Sequence, residues 1–147
     1  MRRTLPAVVL VLVAVVLAGC SGYSGGEARQ VAQWASGAQL ATNDGYVVAD
    51  LADISRGISA GDLGATHTAC DGLASDAATA YGELPTPLAA LTDDLATAYL
   101  DDTRAAQDCT SAGSFAAPGF RRYRATVARG IRAFDAAQRI LRRLGDG

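Results

Sequence analysis

Residues 63–109 read LGATHTACDGLASDAATAYGELPTPLAALTDDLATAYLDDTRAAQDC and contain two apolar seams on either side of a proline turn. The first seam repeats every seven residues, at Leu63, Cys70, Ala77 and Leu84. The second repeats in steps of three, four and seven, at Leu88, Leu91, Leu95, Ala98, Ala105 and Cys109. Such spacing keeps side chains on one face of an α-helix. Because Pro85 and Pro87 cannot continue a helix interior, we expect two helices, over about 61–83 and 87–109, that pack across the turn.

The same periodicity flanks this pair of helices. Upstream, over about 27–59, two stripes lie on different faces: Val31, Trp34, Ala38 and Ala41, then Val47, Leu51, Ile54 and Ile58. They meet at Asn43-Asp44-Gly45, where we expect one long helix to continue, with a short break as the alternative. Downstream, over about 119–144, one face carries Phe120, Tyr123, Val127, Ile131, Phe134, Gln138 and Leu141. Four amphipathic helices with short links predict an all-α fold, an antiparallel up-down four-helix bundle over residues 27–147.

The N-terminal residues have the pattern of an export signal. Arg2 and Arg3 precede an apolar run from Leu5 to Ala18, which is shorter than the roughly 18 to 20 residues of a membrane-spanning helix. The run fits the apolar region of a secretory signal. It ends at Leu17-Ala18-Gly19-Cys20, a sequence that resembles the lipobox of bacterial lipoproteins. An ordinary signal peptide or a membrane anchor is the alternative interpretation.

The resemblance to lipoproteins implies a location and a partner. It implies that residues 1–19 are a signal peptide, that Cys20 is acylated, and that residues 20–26 form a flexible Gly/Ser tether. The lipid bilayer would then hold the protein at the extracytoplasmic face of the cell membrane through Cys20. More broadly, a Trp-containing helix and two cysteines around a Pro-x-Pro turn resemble small uncharacterised actinobacterial helical-bundle lipoproteins. That wider resemblance implies no activity.

The two remaining cysteines, Cys70 and Cys109, are an even pair once Cys20 is lipidated. Outside the cytoplasm such a pair is normally oxidised, so we expect one disulfide; two separate buried thiols are the alternative. There is a geometric difficulty. Counted from the proline turn, the two residues lie about 14 and 22 positions along their helices, a mismatch of roughly 12 Å. A disulfide needs Cα atoms within about 7 Å, so a stagger, a tilt or an early end to the third helix must close the gap.

Charge is unevenly distributed along the chain. Residues 27–108 hold 13 acidic residues and three Arg, a net charge of −10, whereas residues 109–147 hold eight Arg and two acidic residues, a net charge of +6. Six arginines share the outer face of the fourth predicted helix: Arg121, Arg122, Arg129, Arg132, Arg139 and Arg143. They indicate either a solvated face that complements acidic neighbours or a surface for phospholipid headgroups or an acidic envelope polymer. A nucleic-acid partner is disfavoured by the net negative charge and the few aromatic residues.

Two polar residues lie next to the apolar seams. Asp102 falls on the seam of the third helix and would need a partner if it is buried. His67, the only histidine, flanks the Cys70 seam one turn earlier. Antiparallel packing would bring these regions together, so a buried His67–Asp102 pair, or an Arg–Asp102 contact, is expected as a structural feature; a catalytic or ligand role is the alternative.

The scarce residue types exclude several kinds of functional site. One His, two Glu and a single Met at the first position leave too few ligands for di-iron, haem or zinc sites, so we expect no metal and no cofactor. No nucleophile and base can be connected from the sequence, and we predict no enzyme activity. The predicted function is a non-enzymatic interaction or scaffolding module of the cell envelope. The alternative is a binder of small amphiphilic ligands, anionic lipid or polymer, which a cavity of about 300 Å³ or more near Trp34, Tyr81, Tyr99 and Phe134 would favour.

Overall fold

The computed structural model describes residues 25–145, and every regular element in that range is an α-helix. The helices are α1 (Gly25–Gly37), α2 (Leu40–Ala60), α3 (Leu63–Gly82), α4 (Ala89–Thr110) and α5 (Pro118–Gly145). The predicted all-α class is therefore confirmed, but the described residues form five helices rather than four. The predicted signal peptide and Cys20 lie outside the described range, and α1 already includes the last two residues of the predicted tether.

The predicted continuity of the first helix is wrong. The chain breaks between α1 and α2, where Gln39 adopts a left-handed conformation with φ of 50°. Asn43 stabilises the break, because its side-chain amide donates a hydrogen bond to the carbonyl oxygen of Ala38 at 3.0 Å. The suspected joint at residues 43–45 lies inside α2 instead. The break explains why the two apolar stripes of this region point in different directions.

Helices α2 and α3 pack closely at a tight turn. Gly61 ends α2 in a left-handed conformation that glycine adopts at little cost. Asp62 caps α3, as its position predicts, by accepting a hydrogen bond from the Ala65 amide at 2.9 Å. On α2, Gly57 faces Thr66 so closely that an added Cβ would lie 3.0 Å from the Thr66 backbone nitrogen. The pair therefore has almost no space between its backbones at this end.

A stagger between α3 and α4 brings the two cysteines together. The Cys70 and Cys109 sulfur atoms are 2.02 Å apart, at disulfide distance, and their Cα atoms are 6.2 Å apart. His67 contacts Ala112 in the same antiparallel register. Continuing that register places the end of α3 level with Thr97, so α4 starts about 12 Å beyond the end of α3. The linker of residues 83–88 can span up to about 20 Å, which is enough to accommodate this stagger.

Helix α5 packs on α4 through small residues. A Cβ added at Gly119 would lie 2.9 Å from the Asp108 carbonyl oxygen, and one at Gly130 would lie 3.3 Å from the Ala98 carbonyl oxygen. The buried residues of α5 are Gly119, Phe120, Tyr123, Thr126, Gly130, Ala137, Ile140 and Leu144. The face predicted from large apolar residues is thus only partly correct. Val127, Phe134 and Leu141 are half-buried and Ile131 is 48% exposed.

Candidate functional site

The helical assembly is open along one side, between α2 and α5. No Cα atom of α2 comes within 8 Å of a Cα atom of α5. The space between them is a groove of about 150 Å³, which we call the α2–α5 groove. Its lining residues are Val47, Val48, Leu51, Asp102, Ile131 and Phe134. Val48 and Ile131 are 53% and 48% exposed, so the groove presents apolar side chains to solvent.

Asp102 supplies the single carboxyl group among the residues that line the groove. Its side chain belongs to α4 and is 4% exposed, and its Oδ1 has no hydrogen-bond partner within residues 25–145. A Cβ at Gly130 would lie 2.8 Å from that oxygen, so the missing side chain of Gly130 provides the space for the carboxyl group. Burial and, to a smaller extent, the Asp101 charge raise the pKa of Asp102 to about 7. The carboxyl group therefore gains and loses its proton near neutral pH.

Two buried tyrosines lie near this carboxyl group. The Tyr99 hydroxyl donates a hydrogen bond to Asp44 Oδ1 at 2.6 Å and so links α4 to α2. Burial, Asp44 and Asp102 all raise the pKa of Tyr99. Burial and Asp102 raise the pKa of Tyr123 to about 12, against an opposing effect of Arg124. Both hydroxyls are therefore neutral around pH 7 and add no charge that could compensate Asp102.

Asp101, the neighbour of Asp102 in sequence, is in a contrasting environment. Arg129 of α5 donates two hydrogen bonds to its carboxylate, both at 3.2 Å, and Arg104 lies 3.6 Å from it. Successive residues on a helix point about 100° apart, so one member of the doublet faces the arginines and the other faces the groove. The Asp101-Asp102 doublet therefore does not converge on one point.

The predicted His67–Asp102 pair is wrong. His67 Nε2 makes a hydrogen bond of 3.0 Å to the carbonyl oxygen of Ala112, just beyond the end of α4. The stagger of α3 and α4 explains this, because it places His67 level with the C-terminal end of α4 rather than with its middle. Asp102 also lacks the arginine contact that was the second expectation, since Arg129 binds its neighbour.

The six arginines on the outer face of α5 are all exposed, and they differ in their partners. Arg122 binds Asp108 at 2.8 Å and Arg129 binds Asp101, two ion pairs one heptad apart between α4 and α5. Arg121 donates to the Ala116 carbonyl oxygen. Arg132 and Arg139 have no ion pair or hydrogen bond to any residue in the described part of the chain. The interpretation of this face as a complement to acidic α4 therefore accounts for part of it.

Within residues 25–145, Trp34, Tyr81, Tyr99 and Phe134 do not line a common cavity of the kind that would have favoured the ligand-binding alternative. Trp34 instead donates to the Glu83 carbonyl oxygen at 3.1 Å and fixes α1 beside the proline linker. Tyr81 is 42% exposed and Tyr99 is 1% exposed, and neither is among the residues that line the α2–α5 groove with Phe134. Periodicity places these residues on helices but does not show how each helix is rotated about its axis. For that reason the sequence did not predict that Val48 and Asp102 line one groove.

A wider cleft of about 540 Å³ lies between α2 and α3 and is more polar. Its rim carries Asp53 and Arg56, which form an ion pair with each other. Burial and the neighbouring Asp76 carboxyl group raise the pKa of Asp50, at the side of this cleft, to about 6. Asp50 is half-buried as a residue, but its Oδ2 is buried and has no hydrogen-bond partner within residues 25–145. The cleft beside it is wider and more open to solvent than the α2–α5 groove.

Within residues 25–145, no three His, Cys, Asp or Glu side chains are grouped so that they could hold a metal ion. None of the helices in that range is long and apolar enough to cross a membrane. Compared with known proteins, the chain matches no family, no curated protein and no solved structure.

Proposed function

We propose that this protein is a lipid-anchored extracytoplasmic lipoprotein whose helical domain is a non-enzymatic interaction module of the cell envelope. In this proposal acylated Cys20 holds the chain on the membrane, α2 to α5 form a four-helix bundle with a Cys70–Cys109 disulfide, and α1 connects the bundle to the anchor. The observation that carries the interaction role is the α2–α5 groove. The lipobox-like sequence before Cys20 supports the anchor.

The groove supports binding because its walls are apolar and partly solvated. Val48 and Ile131 are about half exposed, and each square ångström of apolar surface removed from water contributes about 25 cal/mol. A molecule that fills the groove would recover that free energy without any change in the helices. A catalytic role has less support, since His67 is bonded to a backbone carbonyl and Asp101 is closed by Arg129.

The anchor is tested by expressing the full chain in a lipoprotein-producing bacterium and measuring the intact mass of the purified product. We expect a chain that begins at Cys20, carries acyl groups and partitions into detergent. Cys20→Ser should stay unacylated, while Ser24→Ala, a conservative change in the same segment, should behave as the wild type. An unacylated wild-type chain cleaved at another position would contradict the proposal.

The groove is tested by titrating the purified protein with benzyl alcohol and following side-chain methyl signals by NMR. Signals of Val48 and Ile131 should shift with saturation, whereas those of Ile54, which is fully buried, should not. Ile131→Gln should weaken the response. No change at Val48 and Ile131 up to the solubility limit of the alcohol would contradict a binding role for the groove.

A second candidate function is contact with an anionic membrane surface, which is favoured by Arg132 and Arg139, two arginines that have no ion pair with any of residues 25–145. Each arginine near such a surface contributes about 1 kcal/mol, so replacing both with Gln should weaken binding of a lipid-free chain to anionic liposomes about thirtyfold. The matched control replaces Arg121 and Arg122, which are already engaged within the protein, and should have a smaller effect. Absence of binding at low salt would exclude this function.

A further inference from the structure

The floor of the α2–α5 groove holds a carboxyl group that nothing in the described chain compensates. Asp102 is 4% exposed and its Oδ1 has no hydrogen-bond partner. Burying a carboxylate without a partner carries a large free-energy cost. The arginines that could have relieved it, Arg104 and Arg129, are bound to Asp101. Oδ1 lies against Gly130 of α5, while Asp102 as a residue lines the groove, so a positively charged group that enters the groove would meet a carboxyl group that no cation of residues 25–145 neutralises.

We infer that the α2–α5 groove binds a small amphiphile that carries an amine, with its ammonium group paired to Asp102 and its apolar part against Val48 and Ile131. This deepens the proposed function and rests on it, since it names the ligand class of the same groove. Such a ligand meets two requirements of the groove at once, because its apolar part contacts the walls and its positive charge pairs with the carboxylate. A neutral apolar molecule would leave the carboxyl group unpaired, and an anion would be repelled by Asp101 and Asp102.

The dimensions of the groove limit the apolar part of the ligand. The volume is about 150 Å³, close to that of an engineered protein cavity that accommodates benzene. One six-membered ring or a chain of similar size therefore fills the space between the walls. Benzylamine, which has one ring and one primary amine, is a suitable probe, and benzyl alcohol is its neutral counterpart of nearly equal shape.

The binding of an amine should depend on pH in a defined direction. The groups around Asp102 are Tyr99 and Asp101 on α4, Asp44 on α2, and Tyr123 and Arg129 on α5. The pKa values of both tyrosines are raised, Asp101 is paired with Arg129, and Asp44 accepts from Tyr99. An ammonium group binds the ionised carboxylate. Below about pH 7 Asp102 must lose its proton before it can pair with the amine. The affinity for the amine should therefore fall about tenfold for each pH unit below 7.

The experiment compares benzylamine with benzyl alcohol by NMR titration of the purified protein between pH 5 and pH 8. At pH 8 we expect benzylamine to bind about tenfold to a hundredfold more tightly than the alcohol, as is typical of charge-assisted hydrogen bonds. Asp102→Asn should reduce benzylamine affinity to that of the alcohol and remove its pH dependence. Asp108→Asn, which removes a carboxyl group of α4 that pairs with Arg122, is the matched control and should leave both affinities unchanged.

The outcomes separate this inference from the function on which it rests. If benzyl alcohol binds and benzylamine binds no more tightly, the amine preference is wrong and the groove remains a binding site. If benzylamine affinity is level from pH 5 to pH 8, or survives Asp102→Asn, the pairing with Asp102 is overturned. If neither probe binds, the groove is not a ligand site, and both proposals fail. Ile131→Gln, a change at an exposed position, should weaken both probes and shows that they occupy the groove.

Discussion

The α3–α4 interface and the α2–α5 side of the same helical assembly are packed in opposite ways. Between α3 and α4, Cys70, Leu73 and Cys109 are all 0% exposed, and the two cysteines are at disulfide distance. Between α2 and α5, no Cα atoms approach within 8 Å, and Ile131 is 48% exposed. One side is a closed core and the other is an open groove.

The difference follows from the side chains that face each side. The closed interface is formed mainly by small residues and leucines in heptad-like spacing, which lets backbones approach and fills the space between them. The open side has branched residues on both helices with the Asp102 carboxyl group between them. Closing the helices over this carboxyl group would remove it further from water, which adds a desolvation cost.

The largest expected effect comes from replacing the two cysteines of the α3–α4 interface. Replacing both Cys70 and Cys109 with Ala should lower the free energy of unfolding by about 4 kcal/mol, because the chain-entropy model gives that value for a closed loop of about 40 residues. Urea unfolding of the two proteins would measure the difference. Mass spectrometry of the wild type without reducing agent should detect no free thiol at these positions; two free thiols would contradict the pairing.

On the open side, the pH dependence of stability should depend on Asp102. Burial raises its pKa to about 7 from 3.8, so the folded protein binds its proton more tightly than the unfolded chain. The free energy of unfolding should therefore be highest near pH 4 and fall by up to about 4 kcal/mol by about pH 7, with no further loss from this group above it.

Asp102→Asn should remove this component of the pH dependence. Asp44 and Asp50 also have raised pKa values, and they lower stability with rising pH in both proteins, so the difference between the two profiles isolates Asp102. Urea unfolding at several pH values from 4 to 9 provides the profiles. Parallel profiles for wild type and Asp102→Asn would show that the carboxyl group is not buried as described.

Two glycines on α2 test how closely this helix packs on α3. Gly57→Ala should destabilise the protein by about 2 kcal/mol, because the new Cβ would overlap Thr66 of α3 and force the helices apart. Gly45→Ala, on the same helix with nothing within 4 Å of the new Cβ, should be neutral or stabilise by up to about 1 kcal/mol. Thermal unfolding of both variants decides this; equal effects would contradict the close α2–α3 contact.

The closed side is the part of the fold that the sequence predicts best. The heptad spacing of Cys70 and Ala77 correctly places them in the core, where both are 0% exposed. The predicted start of the second helix, at about residue 61, lies within two residues of Leu63, where α3 begins after its N-cap Asp62. These successes come from local rules, since seam spacing and capping act within one helix. The stagger that joins the two cysteines was one of three alternatives, because it depends on how the proline linker is oriented.

The open side was harder to predict because it depends on the rotation of whole helices. The spacing of large apolar residues predicted that Ile131 and Phe134 of α5 face the protein core, but Gly130 and Ala137 are the buried residues in this part of the helix. A Cβ at Gly130 would lie 3.3 Å from the Ala98 carbonyl oxygen, so backbone proximity to α4, which no hydropathy pattern records, sets the rotation. The break at Gln39 was not predicted, because a glutamine in the left-handed conformation has no local sequence signal.

Ile131 provides the smallest expected effect, and its comparison with Ile54 is the most direct check of the groove in solution. Ile54 on α2 is 0% exposed and Ile131 on α5 is 48% exposed. Ile54→Ala should cost about 2 to 5 kcal/mol through lost contacts and a cavity. Ile131→Ala should cost less than about 1 kcal/mol, because half of its surface is already in water and alanine has the higher helix propensity. Comparable losses in urea unfolding would mean that the α2–α5 groove closes over Ile131 in solution, which would remove the apolar wall that the proposed ligand needs.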